Sequence, residues 1–389
     1  MEEAMQQMMH DRLREMLEFN AQDHVDKHGT WESFTCDQAY GEAQALVIRP
    51  SEDGPAPAPV ILFLAGNGHV DDREALLGPS SFCLEYYLRN EMIRKKFYTI
   101  VPKPSTKTGT VRYTGYGYQK MWAEEAIWAL FTEVLRRLGP AKVDPMRLSV
   151  TGISLGAAGC WHLALKFGHM LAAVAPISGA CQWPEDSWPA GWDPHPEVLE
   201  RLRGLSLRAY HIDVDDYAGN PTRDMECLTR GVEERTKEVR YVGMNPAKEH
   251  IDVKIRQWAW RPKGPSMELY CARGPLMDFL DPDDHVLWIR VFSNPQWGLS
   301  TFFLKHRTPQ ERCWHFEDPP LHVDTSKQKA ELEALWAAWE AEQAQQGQEG
   351  QAAVPSALAQ LPEGSAVSDS KAVDVLDGGG AAPGTVLVC

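Results

Sequence analysis

Apolar and polar positions along this chain predict strands and helices taking turns. Val60-Ile61-Leu62-Phe63-Leu64 is a continuous apolar run of the kind carried by a strand buried on both faces. Strand-like stretches recur at Ala43 to Ile48, Tyr98 to Val101, Leu148 to Thr151, Ala172 to Ile177 and Leu205 to Ile212, with helical segments between them, notably Met121 to Leu138. Leu155 to Phe167 places Ala158, Trp161, His162 and Leu165 at helical spacing. Strands that alternate with helices predict an α/β fold: a mostly parallel central sheet covered by helices on both faces.

The two ends read differently. Met1 to about Ala21 has Met5, Met8, Met9, Leu13, Met16 and Leu17 on one side and charges between them, which predicts an amphipathic helix. Beyond Val323, Thr325 to Gln346 is an Ala/Glu/Gln/Leu helix candidate. Gly347 to Cys389 is rich in Gly, Ala, Ser, Gln and Pro, a composition expected to be disordered. The expected organisation is a helical extension over 1–30, an α/β domain over 31–324, and a helix with a low-complexity tail over 325–389.

Charge narrows the partners. Lys plus Arg minus Asp plus Glu is 39 − 54 = −15 over 389 residues, so the average field repels nucleic acid. The acidic start, Met1-Glu2-Glu3-Ala4-Met5, and the lack of any apolar run as long as a membrane span predict a soluble protein of the cytoplasm. Eight cysteines, scattered without C-x-x-C or His-Cys metal spacing, fit reduced, mostly buried thiols and no metal site. The sequence carries no signal of oligomeric state.

One segment carries chemistry. Arg147 to Thr151 is a short β-type run that leads into Gly152-Ile153-Ser154-Leu155-Gly156 and then into the helical stretch. Strand, G-x-S-x-G turn and helix in that order form a nucleophile elbow. The turn must be sharp enough to hold Ser154 in a strained conformation, and side chains at positions 152 and 156 would collide with neighbouring backbone. A serine hydroxyl is too weakly acidic to attack a carbonyl unaided, so a base must accept its proton and a third group must orient that base. Asp213, Asp215 and Asp216, just after the strand ending at Ile212, are candidates for the acid. His285, in the turn-rich loop Asp281-Pro282-Asp283-Asp284-His285, and His250 are candidates for the base. His69, His162, His211 and His306 read as packing or surface residues.

Four stretches make the chain resemble the α/β-hydrolase superfamily over roughly Pro59 to His306, in particular its esterase and depolymerase-like group, with phospholipase/carboxylesterase and prolyl-oligopeptidase-type relatives. They are Phe63-Leu64-Ala65-Gly66-Asn67-Gly68, Val143-Asp144-Pro145-Met146-Arg147 through Gly159, Ala172 through Gly179, and His285 with Trp288 and the residues to Leu304. The resemblance implies the α/β-hydrolase fold with a central sheet of about eight strands, Ser154 as nucleophile and His285 as base. It implies Asp215 as orienting acid, because Tyr210-His211-Ile212-Asp213-Val214-Asp215 resembles the family's His-Gly-x-x-Asp segment, with Asp213 as rival. The backbone amides of Asn67 and Leu155 would form the oxyanion hole. The chain departs from the family pattern at Ala65, where His is common, at Ala157, where Gly is common, and at Ile212, where Gly is usual.

Trp183, Trp188 and Trp192, interleaved with prolines, are candidates for a stiff aromatic wall over the substrate. The expected activity is cleavage of a carboxylic ester or thioester of a small molecule through an acyl-enzyme, with no cofactor. Peptide hydrolysis and a non-catalytic binding role on the same scaffold are the alternatives.

Overall fold

The computed structural model describes residues 19–35, 42–52, 57–66, 83–103, 113–114, 117–118, 124–180, 202, 204–213, 221–229, 231–242, 250–259, 266–273 and 287–321. The chain divides into two compact units, residues 1–328 and 329–389, and the second lies outside the described residues. So does nearly all of the predicted amphipathic segment at Met1 to Ala21.

Ten strands form the main sheet: β1 (Gly29–Thr35), β2 (Glu42–Ile48), β3 (Ala58–Leu64), β4 (Tyr98–Lys103), β5 (Val143–Ile153), β6 (Ala173–Ile177), β7 (Ser206–Ile212), β8 (Glu234–Val242), β9 (His250–Ala259) and β10 (Ser266–Ala272). Their spatial order is β1-β2-β4-β3-β5-β6-β7-β10-β9-β8. The six central strands, β4 to β10 in that order, run parallel, while β1 and β2 at one edge and β9 and β8 at the other pair antiparallel. The sheet is therefore mostly parallel, as expected, but ten strands wide rather than about eight. Much of the added width is the β8–β9 hairpin, whose β8 side chains are largely exposed.

Helices cover both faces: α1 (Ala21–His28), α2 (Cys83–Arg89), α3 (Glu91–Lys96), α4 (Glu124–Leu138), α5 (Leu155–Phe167), α6 (Pro221–Leu228), α7 (Leu287–Ser293) and α8 (Leu299–Lys305). The period-two alternation of strand side chains divides the core between the two faces. On β3, Val60, Leu62 and Leu64 face a cluster completed by Ile127, Trp128 and Phe131 of α4 and Trp161 and Leu163 of α5. Ile61 and Phe63 face the opposite cluster, with Tyr87 of α2, Ile93 of α3, Phe292 of α7 and Phe303 of α8. Burying each such side chain is worth about 1.5–3 kcal/mol, so the strand is held from both sides.

Local chemistry sets where the helices start. The Asn20 carboxamide oxygen accepts hydrogen bonds from the Gln22 and Asp23 amides and caps α1. Asn90 caps α3 by accepting from the Ile93 amide at 3.2 Å, while its side-chain Nδ2 donates to the Phe292 carbonyl at 3.0 Å. The same residue thus begins α3 and fastens it to α7.

The lead into β5 is anchored at its far end. Between Val143 and Leu148 the pairing with β3 shifts register, so Asp144 to Arg147 bulge out of the ladder. Asp144 is buried there, accepting from the Met146 amide at 3.0 Å, Arg147 Nε at 2.7 Å and Arg307 Nη2 at 3.0 Å. Arg147 also donates to the Pro57 carbonyl at 2.9 Å, which ties the start of β5 to the start of β3.

Candidate active site

Parallel strands present their C-terminal ends along one edge of a sheet, and ligands collect where the strand order reverses. Here β4 and β5 lie on opposite sides of β3, so the reversal falls at the adjacent ends of β3 and β5. Gly66 follows β3 and Ser154 follows β5 at that place.

Ser154 has φ 51° and ψ −117°, left-handed backbone that a non-glycine residue adopts only where its surroundings impose it. Those surroundings leave no room for a relaxed turn. A Cβ on Gly152 would stand 2.6 Å from the Gly156 carbonyl oxygen and 2.7 Å from that of Leu64, and one on Gly156 would overlap the Leu64 and Ala65 carbonyls. A Cβ on Gly66 would reach Ser154 Cβ at 3.4 Å, so the backbone after β3 runs directly against the serine. The two elbow glycines therefore hold strand, turn and helix at backbone contact, as steric reasoning from G-x-S-x-G requires.

The helix behind the serine starts differently from α4. Ser154 occupies the N-cap position of α5, yet its side chain makes no capping hydrogen bond, and the first turn of α5 has no acid. By contrast, α4 starts with Glu124 and Glu125. The positive end of the α5 dipole is therefore not neutralised by a first-turn carboxylate, which suits a site where negative charge develops. Ser154 is 7 % exposed, and Leu155, the first residue of α5, is buried.

This is the α/β-hydrolase fold. Sheet order, elbow and helix all belong to it.

Three solved structures illustrate the likeness. A thermostable esterase aligns with TM-score 0.48 and 15 % identity, covering 73 % of this chain and 64 % of its own length, so the match spans less than two thirds of that esterase. An α/β-hydrolase enzyme from a Medee basin deep-sea metagenome library aligns with TM-score 0.41 and 15 % identity, covering 71 % of this chain and 98 % of its own. The feruloyl esterase module from Clostridium thermocellum, complexed with sinapinate, aligns with TM-score 0.40 and 10 % identity over 69 % of this chain and 88 % of its own. No protein-family model matches the chain, and no curated protein matches it.

Of the residues expected to act, Ser154 and Leu155 stand together at the elbow. Asp215, His285, Asn67, Trp183, Trp188 and Trp192 lie outside the described residues, as do Asp216 and His69. Asp213, the rival acid, follows β7 at the same sheet edge; it is exposed, and its amide donates to the Ala272 carbonyl at 2.9 Å. His250, the rival base, opens β9 and pairs with Val242. His211 is buried within β7, and His162 lies half-buried on α5. His306 follows α8, its Nδ1 2.6 Å from Ser206 Oγ at the opposite end of β7.

The free thiols are poor competitors for the nucleophile's role. Burial pushes the Cys160 thiol well up, and burial together with the Asp213 carboxylate pushes Cys271 up to about 11, so both stay protonated at neutral pH. Among the described residues no group of three metal-ligating side chains occurs, and no helix is long and apolar enough to cross a membrane.

One element of the site is silent in the sequence. Ser178, just after β6, also has left-handed backbone, with φ 53°. The turn it makes brings Ile177 and Gly179 against the nucleophile: the Ser154 amide donates to the Ile177 carbonyl at 2.9 Å, and the Gly179 α-carbon packs on the Ser154 carbonyl. Serine has no special preference for that conformation, so composition and spacing offered no signal for it.

Proposed function

We propose that the protein is a serine hydrolase that cleaves a carboxylic ester or thioester of a small molecule. The observation that carries this reading is Ser154 itself, strained and set at the N-terminus of α5 where the strand order reverses. In this reading Ser154 Oγ attacks the substrate carbonyl and His285 takes its proton, with Asp215 orienting the imidazole. The amides of Asn67 and Leu155 hold the oxyanion, a function worth about 10²–10³ in kcat per donor in comparable sites. His285 then returns the proton to the leaving alcohol or thiol. Water, activated by the same histidine, adds to the acyl-enzyme; its hydroxyl goes to the acyl group and its proton, through His285, restores Ser154.

Trp183, Trp188 and Trp192 form the aromatic wall for the acyl group in this scheme. No cofactor takes part, and the acidic surface argues against nucleic acid as partner. Acidic charge and scattered cysteines are the support for a cytoplasmic location in this reading.

The test is labelling of the purified protein with a fluorophosphonate, together with hydrolysis of a short-chain nitrophenyl ester. Wild type labels at Ser154, and Ser154→Ala and His285→Ala both lose labelling and turnover, by about 10³-fold or more. Comparing Asp215→Asn with Asp213→Asn identifies the acid, because the true orienter costs the larger part of kcat. A folded wild type that neither labels nor hydrolyses would favour the binding scaffold, and cleavage of peptides but not esters would favour the peptidase.

A further inference from the structure

The turn after β6 holds both peptide groups of the nucleophile. The carbonyl of Ile177 binds the Ser154 amide at 2.9 Å, and Gly179 lies so close beneath the Ser154 carbonyl and Ala157 Cβ that any Cβ at 179 would overlap them. The residue between these two contacts is Ser178. It is fully buried, its backbone is left-handed at φ 53°, and its amide donates to the Tyr210 carbonyl of β7 at 2.9 Å. Its hydroxyl has no hydrogen-bond partner among the described residues. A buried unpartnered hydroxyl and a Cβ in left-handed backbone are two costs that glycine would not incur.

We infer that Ser178 is a positioning residue for Ser154, acting through the stiffness of its own backbone. Because the hydroxyl has no partner among the described residues, the side chain acts through Cβ: the neighbouring strands impose left-handed backbone here, and within that region Cβ leaves only a small allowed well where glycine's is broad. Ile177, Ser178 and Gly179 then form a rigid brace that keeps the strained serine aimed at the substrate carbonyl. Displacement of a nucleophile by a fraction of an ångström is felt in kcat before it is felt in binding. The inference rests on the hydrolase reading for its catalytic consequence, and on the hydrogen bond from Ser154 for the brace itself.

Two variants separate stiffness from the hydroxyl, and two readouts separate this inference from the hydrolase reading. Ser178→Gly lowers kcat about tenfold with KM within about twofold, while Ser178→Ala, which keeps Cβ, retains kcat within about twofold. Neither variant lowers Tm, since each removes a buried unpartnered hydroxyl. Independently of any activity, exchange of the Ser154 amide with solvent quickens about tenfold in Ser178→Gly and not in Ser178→Ala. Unchanged kcat in Ser178→Gly, equal losses in both variants, or a kcat loss that follows a fall in Tm would overturn the inference. Should a folded wild type show no hydrolysis, the hydrolase reading falls, and the exchange rates alone decide the brace: unchanged exchange in Ser178→Gly sinks it.

Discussion

A methyl group is enough to test the elbow. Gly156 has the Leu64 and Ala65 carbonyls where a Cβ would go, and neither is the end of a flexible side chain that might step aside. Gly156→Ala is expected to destabilise the protein by about 1–3 kcal/mol, as overpacking does, and to abolish fluorophosphonate labelling. Denaturant midpoints together with labelling check both parts. A second residue sets acid sensitivity. His24 is held between burial and the positive charge of His28, Arg94 and Lys27, which bring its imidazole down from 6.5 to about 4. The unfolded chain therefore binds a proton more readily than the folded one between these values, so the stability His24 contributes is complete above pH 6.5 and is lost as pH falls toward 4. Urea midpoints at pH 7 and pH 4.5 should converge in His24→Leu relative to wild type. At this scale the sequence was legible for Ser154, Gly152 and Gly156, because their chemistry is steric and local. It was silent for Ser178, whose conformation is imposed by β5 and β7 on either side.

At the scale of elements, β5 is a beam held at both ends. One end is the elbow, and the other is the Asp144 carboxylate with Arg147, Arg307 and the Met146 amide. Removing a buried carboxylate leaves those donors without their acceptor, so Asp144→Ala is expected to cost about 2–3 kcal/mol, with Asp144→Asn costing less because it keeps an acceptor for the Met146 amide. Thermal melts of the two variants measure the difference. Elements whose burial is one- or two-sided could be read in advance: β3 from its apolar run, β6 and β7 from theirs, and α5 from its helical spacing. The β8–β9 hairpin could not. Glu234-Arg235-Thr236-Lys237-Glu238 offers no apolar alternation, and the pair is joined by backbone pairing and by ion pairs such as Arg240–Asp252 at 2.7 Å and Arg256–Glu234 at 2.7 Å. Charge on an outermost strand is how sheets discourage further pairing, and it erases the hydrophobic signature by which strands are recognised.

Across the whole molecule, stability is graded from the middle of the sheet outward. β3, β5 and β6 have helices on both faces and strands on both sides, whereas among the described residues β8 pairs on one side only and is largely exposed. Amide exchange followed by mass spectrometry should find the slowest exchange in β3, β5 and β6, and exchange in β8 faster by several orders of magnitude. Equal protection of β8 and β5 would mean that something covers that edge. The architecture was legible at this scale from alternation alone, because parallel strands must be buried and buried strands advertise themselves in apolar runs. The width of the sheet was not, since its outer strands owe little to burial.

The position of Ser154 at the end of β5 has a consequence for how such a molecule changes over generations. What forces the serine into its posture is glycines and backbone carbonyls of β3, β5 and α5, together with the first residues after β3 and β6, Gly66 and Ser178-Gly179. Beyond those residues, the joins that leave β3, β6, β7 and β10 start from the same rim, and connections of this kind tolerate changes of length and sequence. On the hydrolase reading, the power to react and the choice of what to react with can thus be inherited as separate traits.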